Sequence, residues 1–358
     1  MPRSGQLKIA VVAVMAAASA ARADTSFTAK TQVYTDSDRT TVVSPVVEGS
    51  ADVTNNTNVT LGYLVDAVSS ASVDIVTQAS PITMHDTRHQ VSLGLQQKLD
   101  TITATGGYSF SKENDYLSHT INVGLADELN DKNTTLGLGY GVSLNTVGRS
   151  GDENFSRSMT SQHISASWTQ LISPKVAAQL VYELGYESGY QASPYRFVPI
   201  RMNLTSLPDY WVPETDPDSR FRHAFVGGIN RAVGDSSSVQ ADYRFYFDDW
   251  GIQSHTIGAR YFFHLRKDLE VRLRERFYVQ NSASFYQAVY TMATKYIAYD
   301  RELSALWSNT IGAKVDYLIT DRLEAEAKLD VFYYYYEDFP PLLDRVGANI
   351  GLGLQLTY

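Results

Sequence analysis

Charged side chains recur at every second position through the last third of the chain. Arg272, Arg274 and Arg276 form one row, and Glu324, Glu326, Lys328 and Asp330 another. Arg222, Arg244, Arg260, His264, Lys314 and Asp316 fall on the polar phase of the runs around them. Such rows do electrostatics rather than bond making: they orient ions and polar solutes, or they pair with one another. Six acidic pairs stand apart: Asp36/Asp38, Glu113/Asp115, Asp152/Glu153, Asp216/Asp218, Asp248/Asp249 and Glu337/Asp338. Clustered carboxylates suit hard cations such as calcium, yet none has the spacing of a calcium loop, and a solvated acidic rim is the better reading. The histidines, His85, His89, His119, His163, His223, His255 and His264, are scattered, and no nucleophile is marked by its context. There is no nucleophile elbow, no zinc-protease helix motif and no phosphate-binding glycine loop. The expectation is a protein that is not an enzyme and carries no cofactor.

Strands must position these charges, and the last one sets the architecture. From Val346 to Tyr358, Val346, Ala348, Ile350, Leu352, Leu354, Leu356 and Tyr358 take every second place, with small or polar residues between. Successive strand side chains point to opposite faces, so one face is wholly apolar. The run is about as long as a tilted membrane-spanning strand, which needs roughly 9–11 residues. It ends on an aromatic residue, as outer-membrane barrels do. Similar segments recur upstream, separated by turn residues, and that recurrence is the signature of a transmembrane β-barrel.

Residues 1–23 read as a cleaved secretory signal: Arg3 and Lys8, an apolar run from Ile9 to Ala21, then a small-x-small site at Ala21-Arg22-Ala23. Residues 24–358 read as a single barrel domain. The chain has no cysteine, which excludes a lipoprotein anchor, a thiolate metal site and any disulfide. Its formal charge is −9, and removal of Arg3, Lys8 and Arg22 leaves it more acidic still. That balance argues against nucleic acid as a partner. A mean hydropathy of −0.22 is ordinary for a barrel, where half of each strand avoids lipid.

Period-two alternation and turn residues predict about sixteen strands, with 14–18 possible, in an all-β, antiparallel up-and-down transmembrane barrel. Tight turns are expected at Asn55-Asn56, Asn130 to Asn133, Ser173-Pro174-Lys175, Gly234-Asp235-Ser236, Arg266-Lys267-Asp268 and Thr320-Asp321-Arg322. Long loops are expected near 69–84, 188–219 and 282–299. Short turns then lie at a periplasmic end with both termini, and long loops at the outer end. Sixteen strands leave an aqueous channel unless something fills it.

The charged rows must face the lumen, because an Arg facing lipid at mid-depth costs roughly 2–4 kcal/mol. Glu275 breaks the pattern. It falls on the outward phase and predicts a bulge or a shifted register. Tyr333 to Tyr336 read as part of an interfacial aromatic girdle. Two roles fit the charged wall. A basic ladder facing carboxylates would set a transverse field in an open pore. Alternatively, arginines and acids on neighbouring strands pair and fill the interior.

Asp66 to Pro81 reads DAVSSASVDIVTQASP, and Arg88 follows. Tyr108 to Ser118 reads YSFSKENDYLS, and Leu129 to Gly141 reads LNDKNTTLGLGYG. With Tyr34, Asp36, Asp38, Ser44 and Pro45 upstream, the chain resembles an uncharacterised family of bacterial outer-membrane proteins, domain of unknown function 3570. The resemblance is sharpest over about 30–145. It implies a barrel in the outer membrane and no particular substrate. Ser69–Pro81 is long, apolar and rich in small residues, so it is expected to fold inward as a constriction or plug. Asp66 and Asp74 would then meet Arg88 or the basic strands.

The expected function is a porin-like channel for small hydrophilic solutes or ions in a Gram-negative outer membrane. The expected lining is Asp66, Asp74, Arg88, Arg244, Arg260, Arg272, Arg274, Arg276, Glu324 and Glu326. The alternative is a closed barrel that acts as a scaffold or sheath for other envelope proteins. Expected partners are outer-membrane lipid and lipopolysaccharide, the barrel assembly machinery through the strand ending in Tyr358, and a homo-oligomer.

Overall fold

A computed structural model describes residues 25–70 and 84–358, so the signal segment and Asp74 lie outside the described residues. The strands in chain order are β1 (Thr25–Asp36), β2 (Thr40–Thr54), β3 (Thr57–Ser70), β4 (Met84–Leu99), β5 (Ile102–Lys112), β6 (Tyr116–Leu129), β7 (Thr134–Arg149), β8 (Asp152–Ser173) and β9 (Val176–Gly189). A loop hairpin follows, β10 (Phe197–Ile200) and β11 (Tyr210–Pro213). Then come β12 (Ser219–Val233), β13 (Ser237–Asp248), β14 (Gln253–Arg266), β15 (Leu269–Gln280), β16 (Leu306–Thr320), β17 (Leu323–Tyr336) and β18 (Asp344–Thr357).

All but β10 and β11 form one closed antiparallel barrel of sixteen strands. Each pairs with its chain neighbour, β9 pairs with β12 across the hairpin, and β1 pairs with β18 from Ser26↔Thr357 to Asp36↔Gly347. Closure leaves no unpaired strand edge, which the bilayer interior demands. The wall is inverted relative to a soluble protein. Leu138 and Leu352 are 58% and 61% exposed, while the residues between them on each strand turn to the lumen. Most strands exceed the length needed to cross a bilayer, and β8 has 22 residues, so the wall rises beyond the apolar belt.

The start of β1, the end of β18 and uniformly short turns lie at one end of the barrel, while the other carries the long connections β9–β12 and β15–β16 together with short turns such as β5–β6 and β7–β8. The expected turn at Asn130 to Asn133 is present, with Asn130, Asp131 and Lys132 in the left-handed region at φ 52, 53 and 66°. Asn and Asp tolerate that region because their short polar side chains bond locally. Two expectations need correction. The β15–β16 register is unbroken from Leu269↔Tyr317 to Gln280↔Leu306, and the nearest shift on the other side lies between His264 and Arg266. There is thus no bulge at Glu275, which faces outward in a regular strand. The tyrosine run divides by the period of two. Tyr333 and Tyr335 point outward with Trp307, at ring distances of 5.4 and 6.2 Å. Tyr334 and Tyr336 point inward, and Tyr336 is completely buried.

Candidate functional site

The lumen has two unlike halves. Across β12 to β17 its wall is charged and its charges are mostly paired. Arg222 bonds Glu187 on β9. Arg244 reaches Glu183 at 3.0 Å, and Arg260 reaches Asp242 at 2.9 Å. Gly258 leaves room for that second pair, since a Cβ there would sit 2.7 Å from Asp242 Oδ2. Arg274 lies 2.8 Å from Asp330 across the intervening strand, where a Cβ on Gly312 would strike the same carboxylate. Their contact is close but not aligned as a hydrogen bond, so we read it as a Coulombic pair. Lys328 holds the other oxygen of Asp330 at 2.9 Å. Glu326 receives Lys30 at 3.1 Å and Lys314 at 2.9 Å. Among the described residues, Arg272 and Arg276 pair with no acid: Arg272 Nε is buried without a hydrogen-bond partner, and Arg276 lies over the Tyr278 ring at 5.3 Å. Glu324 also lacks an ion pair among the described residues and sits near the short-turn end of β17.

From β4 to β8 the inner face is small and polar instead. Ser109, Ser111, Thr120, Ser143, Asn145 and Ser161 line a cavity of about 370 Å³, with Arg88, Glu113 and Glu187 at its margin. Thr120 and Ser143 share a hydrogen bond at 2.8 Å. Asp66 accepts from Arg88 Nε at 2.7 Å in direct cross-strand register. The rest of the 69–81 segment, expected as the plug, lies outside the described residues.

A different structure crosses the mouth. Loops 190–218 and 281–305 join into one strap. Thr215 and Ile297 exchange backbone hydrogen bonds of 2.9 and 2.8 Å, and Arg201 N donates to Tyr290 O at 2.9 Å. Val198, Ile200, Tyr290, Ile297, Ala298 and Tyr299 are buried in its core. That core packs on inward aromatics of the wall, Tyr246, Tyr278, Tyr334 and Tyr336, with Trp250 and Phe339. Each large apolar side chain buried this way contributes on the order of 1.5–3 kcal/mol.

Glu214 is the polar tie inside the strap. Its carboxylate accepts from Arg196 at 3.1 and 3.2 Å, from Ser193 N at 3.2 Å and from Tyr299 N at 2.9 Å. Burial nonetheless pushes Glu214 above the ordinary carboxylate range. Nearby Asp216 is pushed up to about 8, by burial first and then by the charge of Glu214. The strap is fastened at both ends. Tyr195 donates to Asp115 in the β5–β6 turn, and Arg301 pairs with Asp38 in the β1–β2 turn. Glu302 accepts from Tyr336 at 2.8 Å and pairs with Arg345 at 3.2 Å. Sequence reasoning named the 69–81 segment as the inward-folding element, which lies outside the described residues from 71 on, and did not single out this strap. The missed signal was apolar content: Phe197 to Ile200, Tyr210 to Val212, Tyr286 and Tyr290 are too hydrophobic for a solvated loop.

The acidic pairs also gain meaning from the fold. Asp86 on β4 joins Glu113 and Asp115, with oxygens of all three within 4.8 Å of one another. Glu113 is pushed up to about 7 by burial and by Asp86, against the pull of Arg88. This triad has the chemistry of a hard-cation site, although Tyr195 already engages Asp115. The histidines are less scattered than they look in sequence. His89, His119, His223 and His255 each meet a tyrosine hydroxyl through Nδ1, from Tyr63, Tyr108, Tyr182 and Tyr243, at 2.6–2.9 Å. All four pairs lie on the outer face toward the long-loop end.

Comparison with known proteins agrees with this architecture. The chain resembles a bacterial polysaccharide outer membrane secretin over 94% of its own length and 98% of the secretin's, at 9% identity and a TM-score of 0.56. It resembles CdiB from Acinetobacter baumannii over 93% of its length and 60% of that protein's, at 7% identity and a TM-score of 0.52. The siderophore receptor PirA from Pseudomonas aeruginosa aligns over 88% of this chain and 56% of its own, at 11% identity and a TM-score of 0.47. The chain thus spans about half the length of the siderophore receptors it matches. At these identities the likeness is one of fold, that of an outer-membrane-type β-barrel. No curated protein matches it. A family model described as "Protein of unknown function (DUF3570)" matches residues 70–166 and 159–341, leaving Tyr34 to Pro45 outside the match. With most of its length under that model, the chain belongs to the DUF3570 family.

Proposed function

We propose that this protein is an outer-membrane channel that passes small hydrophilic solutes or ions along the small, polar half of its lumen. The observation that carries this reading is the cavity of about 370 Å³ lined mainly by serine, threonine and amide side chains, with Arg88, Glu113 and Glu187 among its walls. Hydroxyls and amides there replace water contacts of a passing solute without binding it tightly, which conduction requires. The strap narrows the mouth over the charged half. In this reading the short turns and both termini are periplasmic, and the strap faces the outside. The Tyr–His pairs then sit among lipopolysaccharide head groups, and the strand ending in Tyr358 is what the assembly machinery engages. In this reading the protein is a conduit rather than a catalyst.

Single-channel recording of the refolded protein in a planar bilayer tests this. Steady conductance with a defined reversal potential in a salt gradient is the expected result. Silence in the intact barrel, with large currents after the strap is shortened, would move the reading to a closed barrel with a structural role. Silence in both would remove the channel reading altogether.

A further inference from the structure

Glu275 is an anomaly in the lipid-facing belt. It is the seventh of twelve residues in β15, and its outward neighbours on the strand are Leu273 and Phe277. Level with it across the sheet are Ala241, Ala259, Ile311 and Val331. Ile311 is 64% exposed, so this row belongs to the surface that meets acyl chains. A carboxyl group there lacks water and is costly unless another polar group meets it. One does: Asn309 on β16 also faces outward and donates from Nδ2 to Glu275 Oε1 at 2.6 Å. That bond satisfies one carboxyl oxygen and one amide proton. The second carboxyl oxygen, the amide oxygen and the other amide proton have no partner among the described residues.

Two of these unspent groups, the amide proton and the second carboxyl oxygen, are complementary to each other. A two-fold axis along the membrane normal, passing between the two side chains, brings Glu275 of one copy to Asn309 of the next and Asn309 to Glu275. Each copy then supplies what the other lacks, which is the defining property of an isologous contact. The alanines at 241 and 259 let a neighbouring wall approach closely beside the pair. We propose that this protein forms a two-fold dimer through the outer faces of β15 and β16, closed by reciprocal Glu275–Asn309 hydrogen bonds. The contact lies outside the barrel and is independent of what the lumen conducts.

The absence of cysteine makes the test clean. Ile311→Cys introduces a single thiol beside the pair, and Leu125→Cys on β6 places one on the far wall. Whole cells carrying the full-length chain are treated with a short bismaleimide and the membranes are run on gels. Heat-shifted mobility serves as the check that each barrel is folded. The expected result is a cross-linked homodimer with Ile311→Cys and none with Leu125→Cys. Adding Glu275→Leu should lower the yield about tenfold, whereas Glu275→Gln, which keeps a hydrogen-bonding side chain, should retain most of it. Equal cross-linking from both sites, insensitivity to Glu275→Leu, a folded barrel that never cross-links, or capture of a different protein would each overturn the proposal.

Discussion

The two halves of the lumen are built from the same strand geometry and solve opposite problems. On β12–β17, long charged side chains neutralise one another in pairs such as Arg260–Asp242 and Arg274–Asp330, and aromatic residues support a folded strap. On β4–β8, Ser, Thr, Asn and Gly hold back from the axis and leave free volume. Paired charges fill and stiffen a wall, while small hydroxyls line a passage. Among the described residues, the rows of paired arginines stand where the strap packs, and small hydroxyls border most of the cavity.

The strongest way to break this comparison is to remove the strap. Replacing residues 284–302 with a short turn should raise single-channel conductance on the order of tenfold, because a sixteen-stranded wall by itself encloses an aqueous channel. Unchanged current would show that the strap does not set the opening. Glu214→Ala comes next. It removes the buried carboxylate that holds the partly buried Arg196, and breaking a fully buried pair costs about 3–5 kcal/mol, an upper bound here. Limited proteolysis should then cut within 190–218 while the barrel stays intact, and an uncut strap would mean that apolar packing alone holds it.

Adding bulk to the open half is the next test. Ser143→Trp should cut conductance by roughly half by narrowing the passage. If current is unaffected, solutes do not run along β7.

The pH dependence is a smaller effect whose sign follows from the raised carboxyls. Glu113 and Asp216 hold their protons more tightly in the folded protein than in an unfolded chain, at about 7 and about 8. Their contribution to holding the turns and strap is therefore full below about pH 4, the ordinary carboxyl range, and is lost as pH rises through those values. Conductance should climb between pH 5 and pH 9, and a flat profile would contradict this. The smallest change is expected from Arg272→Gln with Arg276→Gln. Losing two cations without acidic partners should shift the reversal potential toward cation preference by only a few millivolts, since the remaining pairs are already neutral. A large shift would mean that ions run along the charged half after all.

How far the residues alone reach can be seen in particular places. The alternation from Val346 to Tyr358 is enough for a lipid-facing strand, and its recurrence is enough for about sixteen, within 14–18. The Asp66–Arg88 pair is legible because both lie on the polar phase of strands that are adjacent in the chain. Arg274–Asp330 is only half legible: phase puts both inside, but β16 separates their strands and Gly312 decides that they touch. Glu275 was readable as an anomaly, while its pairing with Asn309 was not, since that depends on register. The Tyr333–Tyr336 run looked like one girdle and proved to be two faces of a strand.

Local periodicity belongs to the sequence because side chains alternate within a strand whatever the partner strands are. The sequence by itself therefore determined the barrel, its strand count to within two, its turn end and the inward phase of its charged rows. Only the tertiary structure decided that the 190–218 and 281–305 loops join into a strap, which charges cancel and where small side chains leave a cavity. The strap joins residues 82 positions apart, at Thr215 and Ile297, and its ends meet Asp115 and Asp38 on distant turns. Such contacts depend on how the ring of strands brings its turns together, and no local pattern records that.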